Sequence, residues 1–197
     1  MTKTKDSTYS FLNDYEECIR KVSAQKDIIV KIINQLLKAR DNGKKIYTMG
    51  NGGSGSTASH FVSDLLKTAI IKHNKRFAAI SLVDNIPVTS AWSNDVSYDE
   101  IFVEQLRNFL CKGDVVIGFS GSGSSKNIIK AMRYAKDNSA YCIGFTGMSG
   151  GSLPKICDVC FLVPSDDMLI IESVHLMLCH CIITAIRTMG KPLFRYE

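Results

Sequence analysis

One local pattern occurs twice in this chain and limits what it can fold into. A short apolar run ends in a Gly/Ser-rich stretch, which opens a helix-like segment. The first copy is Lys45-Ile46-Tyr47-Thr48-Met49 followed by Gly50-Asn51-Gly52-Gly53-Ser54-Gly55-Ser56 and a run to Lys67. The second is Asp114-Val115-Val116-Ile117-Gly118-Phe119 followed by Ser120-Gly121-Ser122-Gly123-Ser124-Ser125 and Lys126 to Lys136. A strand that feeds a helix through a glycine turn is the unit of an α/β fold. Such a turn offers hydroxyls and free backbone N–H groups to an anion at the helix N-terminus. Two of them, carrying Ser54, Ser120, Ser122, Ser124 and Ser125, point to a phosphate ester held by neutral groups.

The rest of the chain fits the same scheme. Residues 8–40 read as one or two amphipathic helices. Their apolar face (Ile28, Ile29, Val30, Ile32, Ile33, Leu36, Leu37) is wide enough to pack on a second subunit as well as its own core. Asn42-Gly43 is a helix stop. Strands are expected at 45–49, 77–83, 114–119, 140–146 and 159–163, and helices at 57–71, 99–110, 126–136 and 168–189. The near-continuous apolar run 77–83 reads as a buried parallel strand. Alternation of this kind implies one doubly wound parallel sheet flanked by helices, of the flavodoxin-like type. The expectation is a single domain over 1–197, with a helical segment at 1–42 and an α/β core at 43–197.

At 197 residues with 45% hydrophobic and 22% charged side chains, the chain has the composition of a globular domain with a full core. Its formal charge of +5 is spread over the expected helices, which reads as a solvated surface and argues against a nucleic-acid face. No apolar run approaches ~20 residues, so no membrane span is expected, and the polar N-terminus lacks a signal-peptide core. A cytoplasmic protein follows. The seven cysteines include Cys157-Asp158-Val159-Cys160, a single CxxC on an expected buried strand, which reads as reduced thiols used as small apolar residues.

Gly50-Asn51-Gly52-Gly53-Ser54-Gly55 also matches GxGxxG, but the acidic residue that a dinucleotide site needs ~20 positions later is not clearly present. The serines of the second loop fit a phosphate monoester better. His60 and Asp64, four apart on one helix face, are either half of a metal site or an exposed polar stripe. Glu172, His175 and His180 lie in the apolar run of the last helix, where an ionisable group needs a partner or a task. A hydrogen bond to Glu172, one turn back, is expected for His175. Glu172 and His180 are eight apart, a rise of ~12 Å. They reach one ion only from two chains or across a helix break, which argues for a site between subunits.

Through Gly50-Asn51-Gly52-Gly53-Ser54, His60 with an acid four later, Asn94-Asp95, Ser120-Gly121-Ser122-Gly123-Ser124-Ser125 and Glu172…His180, the chain resembles the sugar isomerase (SIS) domain family, and within it the phosphoheptose isomerases. The resemblance spans essentially the whole chain. It implies a homotetramer that interconverts sedoheptulose 7-phosphate and D-glycero-D-manno-heptose 7-phosphate on the way to nucleotide-linked heptose for surface glycans. It implies phosphate contacts from Ser54, Ser120, Ser122 and Ser125, in a loop that includes Gly121. Sugar contacts would come from Asn51, Gly52, Gly53, Asn94 and Asp95, with Glu172 beside the substrate. It implies zinc on His60, Asp64, Glu172 and His180, and an aldose–ketose isomerisation through a cis-enediol with Asp64 as base at carbon and His180 as acid/base at oxygen. Two positions depart from the family, which usually has Glu at 64 and Gln at 172. The alternatives are an isomerase of another sugar phosphate and a non-catalytic phosphosugar-binding regulator of the same fold.

Overall fold

The structure is a computed structural model and describes residues 2–194. Five strands, β1 (Lys45–Gly50), β2 (Ala78–Ser81), β3 (Val115–Phe119), β4 (Tyr141–Thr146) and β5 (Val159–Leu162), form one sheet in the order β2-β1-β3-β4-β5, every pair parallel. The register sets Gly50 beside Phe119 and Phe119 beside Phe145, so β1, β3 and β4 end level. The chain leaves β1 outward to β2, then returns past β1 to β3. That reversal opens a crevice at the carboxyl ends of β1 and β3, where ligands bind in open α/β sheets.

Helices cover both faces. α1 (Thr2–Val22) and α2 (Lys26–Asp41), joined by a 3₁₀ turn at Ser23–Gln25, share one side with α3 (Gly52–Leu66) and α7 (Met168–Arg187). The other side carries α4 (Ile86–Asp95), α5 (Val103–Phe109) and α6 (Lys126–Asp137). Strand residues alternate between the two cores. Ile46, Val115, Ile117, Phe119 and Phe145 pack with α3 and α7, whereas Tyr47, Met49, Val116 and Cys142 pack with α5 and α6. All five residues of β3 are buried, as a central parallel strand requires.

The structure corrects several expectations. The first Gly/Ser stretch is mostly not a loop: α3 starts at Gly52, and Gly55 N–H already bonds the Asn51 carbonyl at 3.2 Å. Only the second stretch stays a loop through Ser125. β2 is shorter than 77–83 and lies at the sheet edge, so its residues alternate between exposed and buried. The segment 99–110 divides into a 3₁₀ turn at Tyr98–Glu100 and the short α5. By length and composition α7 is apolar enough to cross a bilayer, contrary to the sequence reading. Half of its apolar stretch is buried inside the fold, as in the core helix of a globular protein.

Candidate active site

The cleft at the switch point holds about 280 Å³ and is lined by Asn51, Gly52, Gly53, Ser54, Phe119, Ser120, Gly121, Ser122, Ser125, Met168 and Glu172. Nine of these eleven are residues the sequence singled out for substrate; Phe119 and Met168 are the additions. A larger cavity of about 620 Å³ lies at the opposite end of the sheet, between the C-termini of α2 and α6. It is lined by Lys38, Lys44, Lys136 and Asp158 and holds none of the site residues that the sequence singled out.

Two helix N-termini face the cleft, and at neither does the N-cap residue's own side chain cap the helix; in α6 the Ile128 N–H is taken by Asn127 Oδ1 at 2.9 Å. Asn51, the N-cap of α3, has the extended backbone of a cap (φ −106°, ψ 146°) and the residue type that normally accepts from the first-turn N–H groups, yet it makes no such bond. Ser125, the N-cap of α6, likewise caps nothing; its hydroxyl accepts from Ser120 Oγ at 3.2 Å. First-turn N–H groups without a capping side chain are left for water or a ligand. With the hydroxyls of Ser54, Ser120, Ser122 and Ser125 around them, they suit the oxygens of a phosphate. Gly53 lies so close to Glu172 that a Cβ there would collide with the carboxylate. Glu172 Oε1 also accepts a long bond, 3.5 Å, from Ser54 Oγ.

A second cluster stands further along the same two helices. His60 Nε2 and His180 Nε2 are 3.1 Å apart, and Asp64 Oδ2 lies 3.6 Å from the first and 3.7 Å from the second. A tetrahedral ion with bonds of about 2.1 Å separates its ligand atoms by about 3.4 Å, so the three atoms sit where a divalent metal would hold them. Thr68 Oγ1 donates to Asp64 Oδ1 at 2.8 Å, which leaves Oδ2 turned toward the imidazoles. Both histidines are half-exposed and Asp64 is largely covered, an arrangement open to a ligand on one side.

Other residues named from the sequence stand elsewhere. Glu172 faces the phosphate cleft, not the His60–Asp64–His180 cluster. α7 is unbroken from Met168 to Arg187, so within one chain Glu172 and His180 are ~12 Å apart along it. Asn94 and Asp95 end α4 in exposed positions, bonded to each other at 2.7 Å, and do not line the cleft. His175 does not bond Glu172. It is fully buried against Phe119 and Phe145, and its Nε2 is 3.3 Å from the Thr146 carbonyl. Burial pulls its pKa down to about 4, so the ring is neutral. A carbonyl only accepts, which puts the proton on Nε2. All seven cysteines are free. Burial pushes the Cys142 thiol up to about 12, and the neighbouring Cys160 with burial holds Cys157 far above the usual thiol range. These are inert apolar thiols.

The SIS domain family matches residues 10–147. A Thermoplasma acidophilum protein bearing the name probable phosphoheptose isomerase is 40% identical over 154 residues, 78% of this chain and 84% of its own. The phosphoheptose isomerase of Helicobacter pylori strain 26695 is 34% identical over 170 residues, 86% of this chain and 88% of its own. The chain belongs to the SIS domain family, among the phosphoheptose isomerases. The structure of the phosphoheptose isomerase GmhA from Neisseria gonorrhoeae superposes with a TM-score of 0.87 at 26% identity, covering 94% of this chain and 99% of that one.

Within this phosphoheptose isomerase fold, sequence reasoning missed three side chains that support the site. Thr68 lies in the turn just past the end of α3, four residues beyond Asp64, a spacing that could have flagged it. Asn127 and Tyr98 carry no local signal. Their bonds to Asn51 span 76 and 47 residues of chain.

Proposed function

We propose that the chain is an aldose–ketose isomerase that converts sedoheptulose 7-phosphate to D-glycero-D-manno-heptose 7-phosphate through a cis-enediol, as one catalytic unit over 1–197 in the cytoplasm. The observation that carries the reading is the pairing of an anion cleft with a separate cluster of proton-transfer groups on the same two helices, α3 and α7. The cleft takes the phosphate. Ser54, Ser120, Ser122 and Ser125 donate to its oxygens, and the open N-termini of α3 and α6 neutralise part of its charge. Gly52, Gly53 and Gly121 let the ligand approach the backbone closely. Asn94, Asp95 and Glu172 are assigned to the sugar hydroxyls; Asn51, expected there from the sequence, has its amide engaged by Asn127 and Tyr98.

At the reacting end, one group must move a proton between C1 and C2 while another serves O1 and O2. Asp64 is the base at carbon, held by Thr68. His180 is the acid/base at oxygen, with its ring steadied against His60. His60, Asp64 and His180 also form a fitting donor set for zinc, which would act as a Lewis acid if it contributes to turnover. An atom of Asp64 or His180 held by the ion is not free to move a proton, so tight metal binding and proton transfer are alternative uses of those two side chains. Because α7 is unbroken, a site that uses both Glu172 and His180 draws them from two copies, which supports sites between subunits; the homotetramer is the assembly that the family resemblance implies. The seven free thiols support a reducing compartment. A non-catalytic regulator would have no use for His60, Asp64 and His180 in mutual contact.

Removing either proton-transfer group tests the roles. Asp64→Asn and His180→Ala are each expected to lower kcat by about 10²–10⁴-fold with phosphosugar binding retained. Near-full activity in either variant refutes the assignment for that residue.

A further inference from the structure

Asn51 is at once the N-cap of α3 and a wall of the phosphate cleft, and its side chain is held away from the role its position favours. Its Oδ1 accepts from Asn127 Nδ2 at 2.8 Å and from Tyr98 OH at 3.0 Å, while its Nδ2 donates to Asn127 Oδ1 at 3.0 Å. Asn127 is 2% exposed and further fixed by the Ile128 N–H on its Oδ1 at 2.9 Å. An asparagine free at an N-cap turns its carbonyl oxygen onto the first-turn N–H groups of its own helix. Here that oxygen is occupied by two donors from elsewhere, and no side chain caps α3.

We infer that Asn127 and Tyr98 are positioning residues that hold Asn51 off the N-terminus of α3, so that the N–H groups there stay open to a phosphate. The reciprocal amide pair joins the turn after β1 to the start of α6, the two elements that carry the two phosphate-facing segments. Tyr98 adds the connection between α4 and α5. Without this hold, the Asn51 side chain competes with the ligand for the same donors. The inference rests on reading the cleft as a phosphate site, and its distinguishing consequence is a rescue. A clamp that merely shapes the loops predicts that further loss at Asn51 leaves binding weak. Release of a competing cap predicts that loss of Asn51 restores it.

The test measures the affinity of the full-length protein for inorganic phosphate by titration calorimetry, with cobalt binding at the histidine cluster as a control. Asn127→Ala is expected to weaken phosphate binding about five- to tenfold, the weight of one N-cap hydrogen bond, with the cobalt affinity unchanged. Adding Asn51→Gly to Asn127→Ala is expected to bring the affinity back to within about twofold of the unaltered protein, since glycine is accepted at an N-cap and has no side chain to compete. If Asn127→Ala does not fold, the same pair is made with Tyr98→Phe, which removes only a half-exposed hydroxyl. About threefold weakening, again reversed by Asn51→Gly, is then expected. Unchanged affinity in the single variant, or a double variant as weak as the single, overturns the inference while leaving the phosphate cleft in place. No phosphate binding by the unaltered protein overturns the cleft reading and this inference with it.

Discussion

His175 shows how burial, not sequence neighbourhood, sets the fate of an ionisable side chain. Its spacing from Glu172 suggests a bond along the helix, but Glu172 turns to the cleft and His175 to the sheet. There Phe119 and Phe145 leave it one partner, the Thr146 carbonyl, and leave Nδ1 buried without one. The folded protein therefore refuses a proton that the unfolded chain accepts. With the folded pKa near 4 and the unfolded value at 6.5, the ring contributes nothing to pH dependence above pH 6.5. Stability falls as the pH drops from there, by about 3 kcal/mol at pH 4. Urea unfolding of wild type and His175→Leu between pH 7 and pH 4.5 checks this. The wild-type loss should exceed that of the variant by about 2 kcal/mol or more, and parallel profiles would contradict it. Asp64, His60 and His180 were legible as single residues because their types and spacing are chemical. That they meet was not, since His180 stands 120 residues from its partner His60.

At the scale of elements, the strand–turn–helix units could be read because glycine and serine cluster where the chain must turn sharply. Where turn ends and helix begins could not. Gly52-Gly53-Ser54-Gly55-Ser56 has poor intrinsic helix propensity, and packing of α3 on β1 and α7 overrides it. Nor does apolar composition tell an edge strand from a central one, which is why β2 looked longer and more buried than it is. The second loop makes its own demand on geometry. Gly123 has φ +62°, and its N–H and carbonyl tie the turn to Ser120 and to Ser152 and Leu153. A Cβ there would run into the Gly150 carbonyl. Gly123→Ala is expected to cost about 2 kcal/mol or more, from positive φ plus backbone collision. The lowered melting temperature should come with weakened phosphate binding and unchanged metal binding. A variant with wild-type Tm would show that the loop relaxes freely.

For the whole molecule, the strand order is the feature that positions everything else. Reversal between β1 and β3 brings two turns distant in sequence to one crevice, and α3 and α7 carry the line from that crevice to the histidine cluster. The doubly wound class followed from alternation, but the crevice's contents followed only from the register that ends β1 and β3 level. The separation of Glu172 from His180 along an unbroken helix makes a claim about assembly. Glu172→Ala and His180→Ala, each impaired alone, should regain part of their activity when co-expressed and purified as mixed oligomers. Mixed oligomers as inactive as either parent would place each complete site within one chain.

The most direct test of the central claim is turnover followed by NMR, with purified protein and sedoheptulose 7-phosphate, in one arm with added zinc and in the other after EDTA treatment. The account predicts an aldoheptose 7-phosphate, and the comparison of the two arms shows whether the metal aids turnover or occupies the proton-transfer atoms. Bound phosphosugar with no aldose in either arm would contradict it.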